Sequence, residues 1–232
     1  MKPILLRRCL AEFIGTLFIT FAPIMYTATS GLPGGGNGLV GGALAAGFTV
    51  MAMVYSLGPI SASHLNPAVT IGFAMAKRFP KRYVPYYIAA QTLGGIAAAA
   101  LGLMLFGAPS GATIPAAHLD GFRAFGVEAV LTFILMFTIM ATATDKRVPA
   151  AIPPLAISMA VTADVLLGAP LTGSSMNPAR SLGPALFTGS DALTTLPIYF
   201  IAPVLGAVLA AWIYEAGIRL DPDQAQSAPA EW

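Results

Sequence analysis

The tripeptide Asn-Pro-Ala occurs twice in this chain of 232 residues, at Asn66-Pro67-Ala68 and at Asn177-Pro178-Ala179. Asn is a favoured helix N-cap and Pro sits well in the first turn, so each copy reads as a helix start. A helix start leaves backbone N–H groups without partners and carries partial positive charge. The Asn carboxamide can cap with its oxygen and still direct its amide donors elsewhere. Arg180 lies one turn beyond Asn177 and adds a permanent cation. Together these groups can donate hydrogen bonds and repel cations. No nucleophile–base pair accompanies them, so an enzyme is not expected. His64 adjoins the first motif, but no Cys, Glu or second His stands at ligand spacing, so no metal site or cofactor is expected. His118, in a long connection, has no assignable role.

The elements that must position these residues belong to a membrane protein. The composition is 56% hydrophobic and 9% charged, with mean hydropathy +0.76. A soluble domain carries about 25% charged residues. A net charge of +2 is too small to suggest nucleic acid, and the single Cys9 cannot form an internal disulfide. The start "MKPILLRRCLAEF" lacks the short apolar run and cleavage site of a signal peptide and reads as a cytoplasmic stub. Six stretches are apolar enough to span a bilayer, near 8–28, 39–58, 83–106, 123–143, 151–169 and 196–217. Small residues such as Gly94, Gly95 and Ala97 permit close helix packing. Ten of the Lys and Arg residues fall on one side of such a bundle, and only Arg123 and Arg180 on the other. That bias places both termini in the cytoplasm.

Two apolar pieces, Asn66 to Ala76 and Asn177 to Thr188, are too short to span and read as re-entrant. Irregular backbone at membrane depth survives only when buried in protein or lining a water-filled cavity. The halves also correspond. Glu12 opens the first span and Glu128 the fourth, and each Asn-Pro-Ala follows the second span of its half. Three spans per half make the repeat inverted, and broken helices at matching places point to a central membrane pathway. The two half-helices then meet amino end to amino end. Protons and other cations are disfavoured there, whereas a neutral hydrogen-bond acceptor is not. Glu12 and Glu128 are expected to accept from loop N–H groups without touching solute. Asp164 is left between packing on a neighbouring helix, a protonated state, and the outer mouth, with packing favoured over pore contact.

The segments "SASHLNPAVT", "TGSSMNPARSLGPA" and "AEFIGT" resemble the major intrinsic protein (aquaporin) family, over essentially Arg8 to Gly217. "VYSLGPISASHLNPAVTIGFA", "DVLLGAPLTGSSMNPARSLGPA" and "ATDKR" resemble its nodulin-like branch and bacterial relatives, although Pro59 stands where those commonly have His. The resemblance implies an all-α membrane protein: a right-handed bundle of six spans plus two re-entrant half-helices. It implies a single channel domain over 1–232, with inverted repeats near 8–106 and 123–217 and a polar cytoplasmic tail at 218–232. It also implies a homotetramer with one pore per subunit. The carbonyls of Ala62, Ser63, His64, Gly173, Ser174 and Ser175 would line the pore. Ala46, Val165, Ser174 and Arg180 would form the selectivity constriction. Ala46 and Val165 replace the aromatic residue and the His of water-selective members, so the opening is expected to be wider and less polar. Ser181 and Ala185 stand where glycerol facilitators usually carry Asp and a basic residue.

The expectation is a passive channel for water and small uncharged solutes, such as glycerol-like polyols, small amides and undissociated metalloid acids. A water-selective channel is the nearest alternative. A secondary transporter would need a coupling site, for which Asp164 is the available acid. A structural membrane-junction protein is the other alternative, but no enlarged external loop is present. The short termini point to a prokaryotic inner membrane.

Overall fold

The computed structural model describes residues 3–33, 35 and 38–220. Of the cytoplasmic tail expected at 218–232, residues 221–232 lie outside the described residues. Eight α-helices and no strands occur among the described residues: α1 (Pro3–Thr29), α2 (Gly38–Ser61), α3 (Pro67–Met75), α4 (Val84–Phe106), α5 (Gly121–Ala143), α6 (Ile152–Thr172), α7 (Pro178–Thr188) and α8 (Ser190–Ile213). A 3₁₀ turn at Lys81–Tyr83 leads into α4, and a wide turn at Tyr214–Ile218 ends α8. Helices α1, α2, α4, α5, α6 and α8 are long and apolar enough to cross a membrane. Helices α3 and α7, at 9 and 11 residues, are not.

The spans run longer than hydropathy alone predicts. Helix α1 begins at Pro3, so Arg7 and Arg8 are helical, because a polar stretch ends a hydropathy window without ending a helix. Helix α6 continues to Thr172 through Pro170, and α8 begins at Ser190, ahead of Pro197. Membrane helices tolerate internal Pro because neighbouring groups re-satisfy the freed backbone. Pro59 of α2 and Pro170 of α6 stand at matching places in the two halves.

Packing follows the repeat. Helix α1 lies on α4 and α5 lies on α8, while α2 meets α6 across the centre. The short helices are exchanged: α3 packs on α8 of the other half, and α7 packs on α4. Glycines make these approaches possible. A Cβ on Gly94 would strike the Phe13 carbonyl, and one on Gly206 would strike the Ala129 carbonyl. A Cβ on Gly95 would strike the Ala179 carbonyl, and one on Gly183 the Gly95 carbonyl, so α4 and α7 touch backbone to backbone. The main apolar core joins α3, α5, α6 and α8 through residues such as Val69, Met136, Met140, Val161 and Ala207.

Candidate functional site: a central cavity between two capped loops

Each short helix is preceded by a loop of unusual backbone. Ala62, Ser63 and Leu65 have φ of 67°, 44° and 51°, and Gly173, Ser174 and Met176 have 81°, 46° and 54°. Five of these six are non-Gly residues in the left-handed region, a costly conformation that persists only where the surroundings enforce it. Glu12 and Glu128, both with no solvent exposure, supply the enforcement. Glu12 Oε1 accepts from His64 N at 3.0 Å and Ser61 Oγ at 2.7 Å, while Oε2 accepts from Leu65 N at 2.6 Å and Gln91 Nε2 at 2.8 Å. Glu128 Oε1 accepts from Ser175 N at 2.9 Å and Thr172 Oγ1 at 2.6 Å, and Oε2 from Met176 N at 2.8 Å. Two tyrosines hold the preceding helix ends. Tyr87 Oη donates to the Ser61 carbonyl at 2.9 Å, and Tyr199 Oη to the Thr172 carbonyl at 2.7 Å.

The Asn residues cap as their type requires and also do something further. Asn66 Oδ1 accepts from Ala68 N at 2.8 Å, and Asn177 Oδ1 from Ala179 N at 3.0 Å and Arg180 N at 3.3 Å. Asn66 Nδ2 then donates to the Met176 carbonyl at 2.7 Å, and Asn177 Nδ2 to the Leu65 carbonyl at 2.9 Å. Each amide thus straps its own loop to the other. One amide proton per Asn is used in this way, where the sequence reading left both free. The second proton remains available.

A cavity of about 560 Å³ runs past these groups, from Ser30 and Gly38 at one end to Val54, Ala143 and Pro153 at the other. Asn66 and Asn177 both line it. So do all six residues whose carbonyls were expected there, Ala62, Ser63, His64, Gly173, Ser174 and Ser175. Ala46, Val165, Ser174 and Arg180 line it as well. Pro67, Ala68, Pro178 and Ala179 are buried behind it as the first turns of α3 and α7. Arg180 Nη1 donates to the Gly111 carbonyl at 2.7 Å, and the other guanidinium donors have no partner among the described residues. No carboxylate pairs with Arg180 among the described residues; the ion pairs there are Arg78–Glu215, Arg123–Asp120, Arg147–Asp145 and Arg219–Glu215.

His64 lies between Thr70 and a cluster of aromatic rings. Its Nδ1 lies 3.2 Å from Thr70 Oγ1, and its ring packs among Phe73, Phe79 and Tyr87. Thr70 Oγ1 donates to the Asn66 carbonyl at 3.0 Å, so Nδ1 carries the proton in this pair. Asp164 is fully buried in α6, its carboxyl oxygens have no hydrogen-bond partner among the described residues, and it does not line the cavity.

Gln91, Tyr87, Tyr199 and Gly111 escaped the sequence reading. Gln91 alone carried a signal, as an amide inside an otherwise apolar span. It donates both to Glu12 and to Thr70 Oγ1, the latter at 2.9 Å. The tyrosines read as ordinary membrane aromatics, and Gly111 as loop.

Two loops strapped across a central cavity by paired Asn caps, inside an inverted repeat of apolar helices, define a membrane channel. The chain belongs to the major intrinsic protein family, whose model matches residues 1–214, and it is not an enzyme. It is 43% identical over 218 residues to aquaporin Z of Rhodopseudomonas palustris, covering 88% of this chain and 90% of that protein. It is 44% identical over 223 residues to aquaporin NIP1-4 of Oryza sativa, covering 94% and 79%. It is 40% identical over 238 residues to aquaporin AqpM of Methanothermobacter thermautotrophicus, covering 91% and 97%. The aquaglyceroporin of Plasmodium falciparum shares the fold, with TM-score 0.82 at 24% identity over 92% of this chain and 97% of that one.

Proposed function

We propose that the protein is a passive channel for water and small uncharged solutes, among them glycerol-like polyols, small amides and undissociated metalloid acids such as arsenite. The observation that carries this reading is the cavity wall, to which Ala46, Val165, Ser174 and Arg180 all contribute. Two small or apolar side chains leave width there, and Arg180 supplies donors and a fixed positive charge. Half-helix dipoles at Asn66 and Asn177 add to the barrier against protons and cations. The carbonyls of the two loops offer acceptors along the path, so a neutral solute exchanges its hydration for hydrogen bonds to the wall. Glu12 and Glu128 act as anchors of the loops and have no part in solute contact. The assembly is a homotetramer in a prokaryotic inner membrane, with both termini cytoplasmic and a conduit in each subunit.

The test is stopped-flow light scattering of proteoliposomes under water, glycerol and arsenite gradients. Rates above those of empty vesicles are expected for all three. A protein that moves water alone would show the constriction to be as tight as that of a strict water channel. Replacing Ala46 by Phe together with Val165 by His is expected to slow glycerol and arsenite more than water; equal slowing would place the constriction elsewhere.

A further inference from the structure

The connection between α3 and α4 departs from the repeat. Tyr87 and Tyr199 hold corresponding loop ends, and matching them sets residues 78–83 against Ser190–Thr195. Ser190–Thr195 is the helical start of α8 and contains no Lys or Arg. Residues 78–83 instead form an irregular turn around Pro80 that carries Arg78, Lys81 and Arg82. Lys77 enters this turn with φ of 59°, a costly left-handed conformation for a lysine. The turn encloses a pocket of about 350 Å³, lined by the apolar Ala74, Phe79 and Pro80 and by the cationic Lys77, Arg78 and Lys81. None of these residues lines the central cavity.

One of the three cations is neutralised and two are not. The Arg78 guanidinium forks onto Glu215 at 2.8 and 2.7 Å, and the same carboxylate accepts from Arg219. Lys77 and Lys81 have no carboxylate partner among the described residues, and neither do Arg7, Arg8 and Arg82. Helix α1 brings Arg7 and Arg8 to the same corner, since Cys9 Sγ lies 3.9 Å from the Tyr86 carbonyl near the start of α4. Arg219 also reaches Thr144 at 3.3 Å, which puts the α5–α6 connection on this face. There Arg147 is paired with Asp145, as Arg219 is with Glu215. A general bias of Lys and Arg toward one face does not produce that contrast between the halves. The bare corner also adjoins exposed side chains of the spans, Leu6 and Leu10 of α1 and Tyr86 of α4.

We propose that this pocket binds the phosphate headgroup of an anionic phospholipid in the bordering leaflet, with Lys77 and Lys81 as its ligands. Arg7, Arg8 and Arg82 raise the concentration of anionic lipid at that corner. Two unpaired ammonium groups beside an apolar lining suit a phosphodiester that carries apolar chains, and basic pockets at the ends of spans take such headgroups. An ammonium meets phosphate as a point charge without fixed fork geometry, so exposed lysines serve. The site needs only that the spans lie in a bilayer and is independent of which solutes pass.

The test is thermal unfolding of the full chain in an uncharged detergent, titrated with dioctanoyl phosphatidylglycerol, dioctanoyl phosphatidylcholine or inorganic phosphate. Phosphatidylglycerol is expected to raise Tm saturably, and the other two to leave it unchanged over the same range. Lys77→Gln and Lys81→Gln are each expected to raise the titration midpoint about 5-fold, and together about 25-fold, the worth of one charge contact apiece. Lys146→Gln, in the α5–α6 connection, is expected to keep the wild-type midpoint. An unchanged midpoint in both single variants overturns the site, whether or not the double variant folds. So does a loss in Lys146→Gln as large as theirs, which would mean attraction to the face as a whole. An equal shift with inorganic phosphate overturns the lipid as occupant. No shift with phosphatidylglycerol overturns it too. If the shift then appears once Asp221 and Asp223 are both replaced by Asn, the pocket belongs to the chain's own acidic tail.

Discussion

Three hydrogen bonds end on the Glu128 carboxylate, two of them from backbone N–H groups in a loop that no helix satisfies. Truncating it to Ala orphans those donors in a buried place, at about 1–3 kcal/mol each. Glu128→Ala is therefore expected to lower Tm in detergent by roughly 5 °C or more, given about 2–4 °C per kcal/mol for a chain of this size. Glu128→Gln keeps one acceptor oxygen and is expected to fall between wild type and Ala. Equal Tm for all three would remove the carboxylate from the account of the loop. Asp164 makes the opposite case. Its carboxyl is buried without a partner among the described residues, and Met53 holds the matching place in the other half. Asp164→Leu is expected to raise Tm by a few degrees, since an unpaired buried polar group is replaced by an apolar one; a fall would mean that the carboxyl has a stabilising partner. On the polar surface, Arg147 beside Asp145 holds that carboxyl below its ordinary 3.8, at about 2. The folded value is lowered, so the pair stabilises above about pH 3.8, and that contribution is lost as pH falls toward 2. A Tm difference between wild type and Asp145→Asn should be present at neutral pH and fade across that window. A difference that grew on acidification would contradict the assignment.

The helices carry the site by touching at glycine. Gly206 of α8 lies on the α5 backbone at Ala129, whereas Gly126 of α5 has open space around it. Gly206→Ala is expected to cost about 1–3 kcal/mol by overpacking, and Gly126→Ala nothing. Thermal unfolding in detergent separates the two, and equal effects would mean that α5 and α8 are not in backbone contact. How well each element could be read from the chain follows from where its determinants lie. The starts of α3 and α7 were legible because Asn-Pro is a local cap signal, complete within three residues. The four wall positions were legible only through the family's motif spacing, since Ala46 and Val165 carry no chemical signal of their own. The ends of α1, α6 and α8 were not, because hydropathy reports where lipid stops and helices run on past that point. Tyr87 and Tyr199 were invisible for another reason: their partners Ser61 and Thr172 are 26 and 27 residues away, and an aromatic in a span has no reason to announce a hydrogen bond.

At the scale of the molecule, the inverted repeat places two loops of one design at the centre and lets each Asn amide bridge to the other loop. Helix α3 leans on α8 and α7 on α4, so neither half completes its own wall. The cavity lies where the halves interlock, and its lining combines residues of both loops with apolar residues of the helices. Donors cluster where the two caps meet and again at Arg180, and in the proposed channel they favour neutral hydrogen-bonding solutes over cations. The most direct measurement combines two fluxes in one preparation: stopped-flow shrinkage of proteoliposomes under a glycerol gradient, and decay of an imposed pH gradient across the same vesicles. Glycerol is expected to equilibrate faster than in empty vesicles, and the pH gradient to decay no faster than in them. Glycerol rates equal to empty vesicles, or a pH gradient that collapses with the protein present, would contradict the proposed channel.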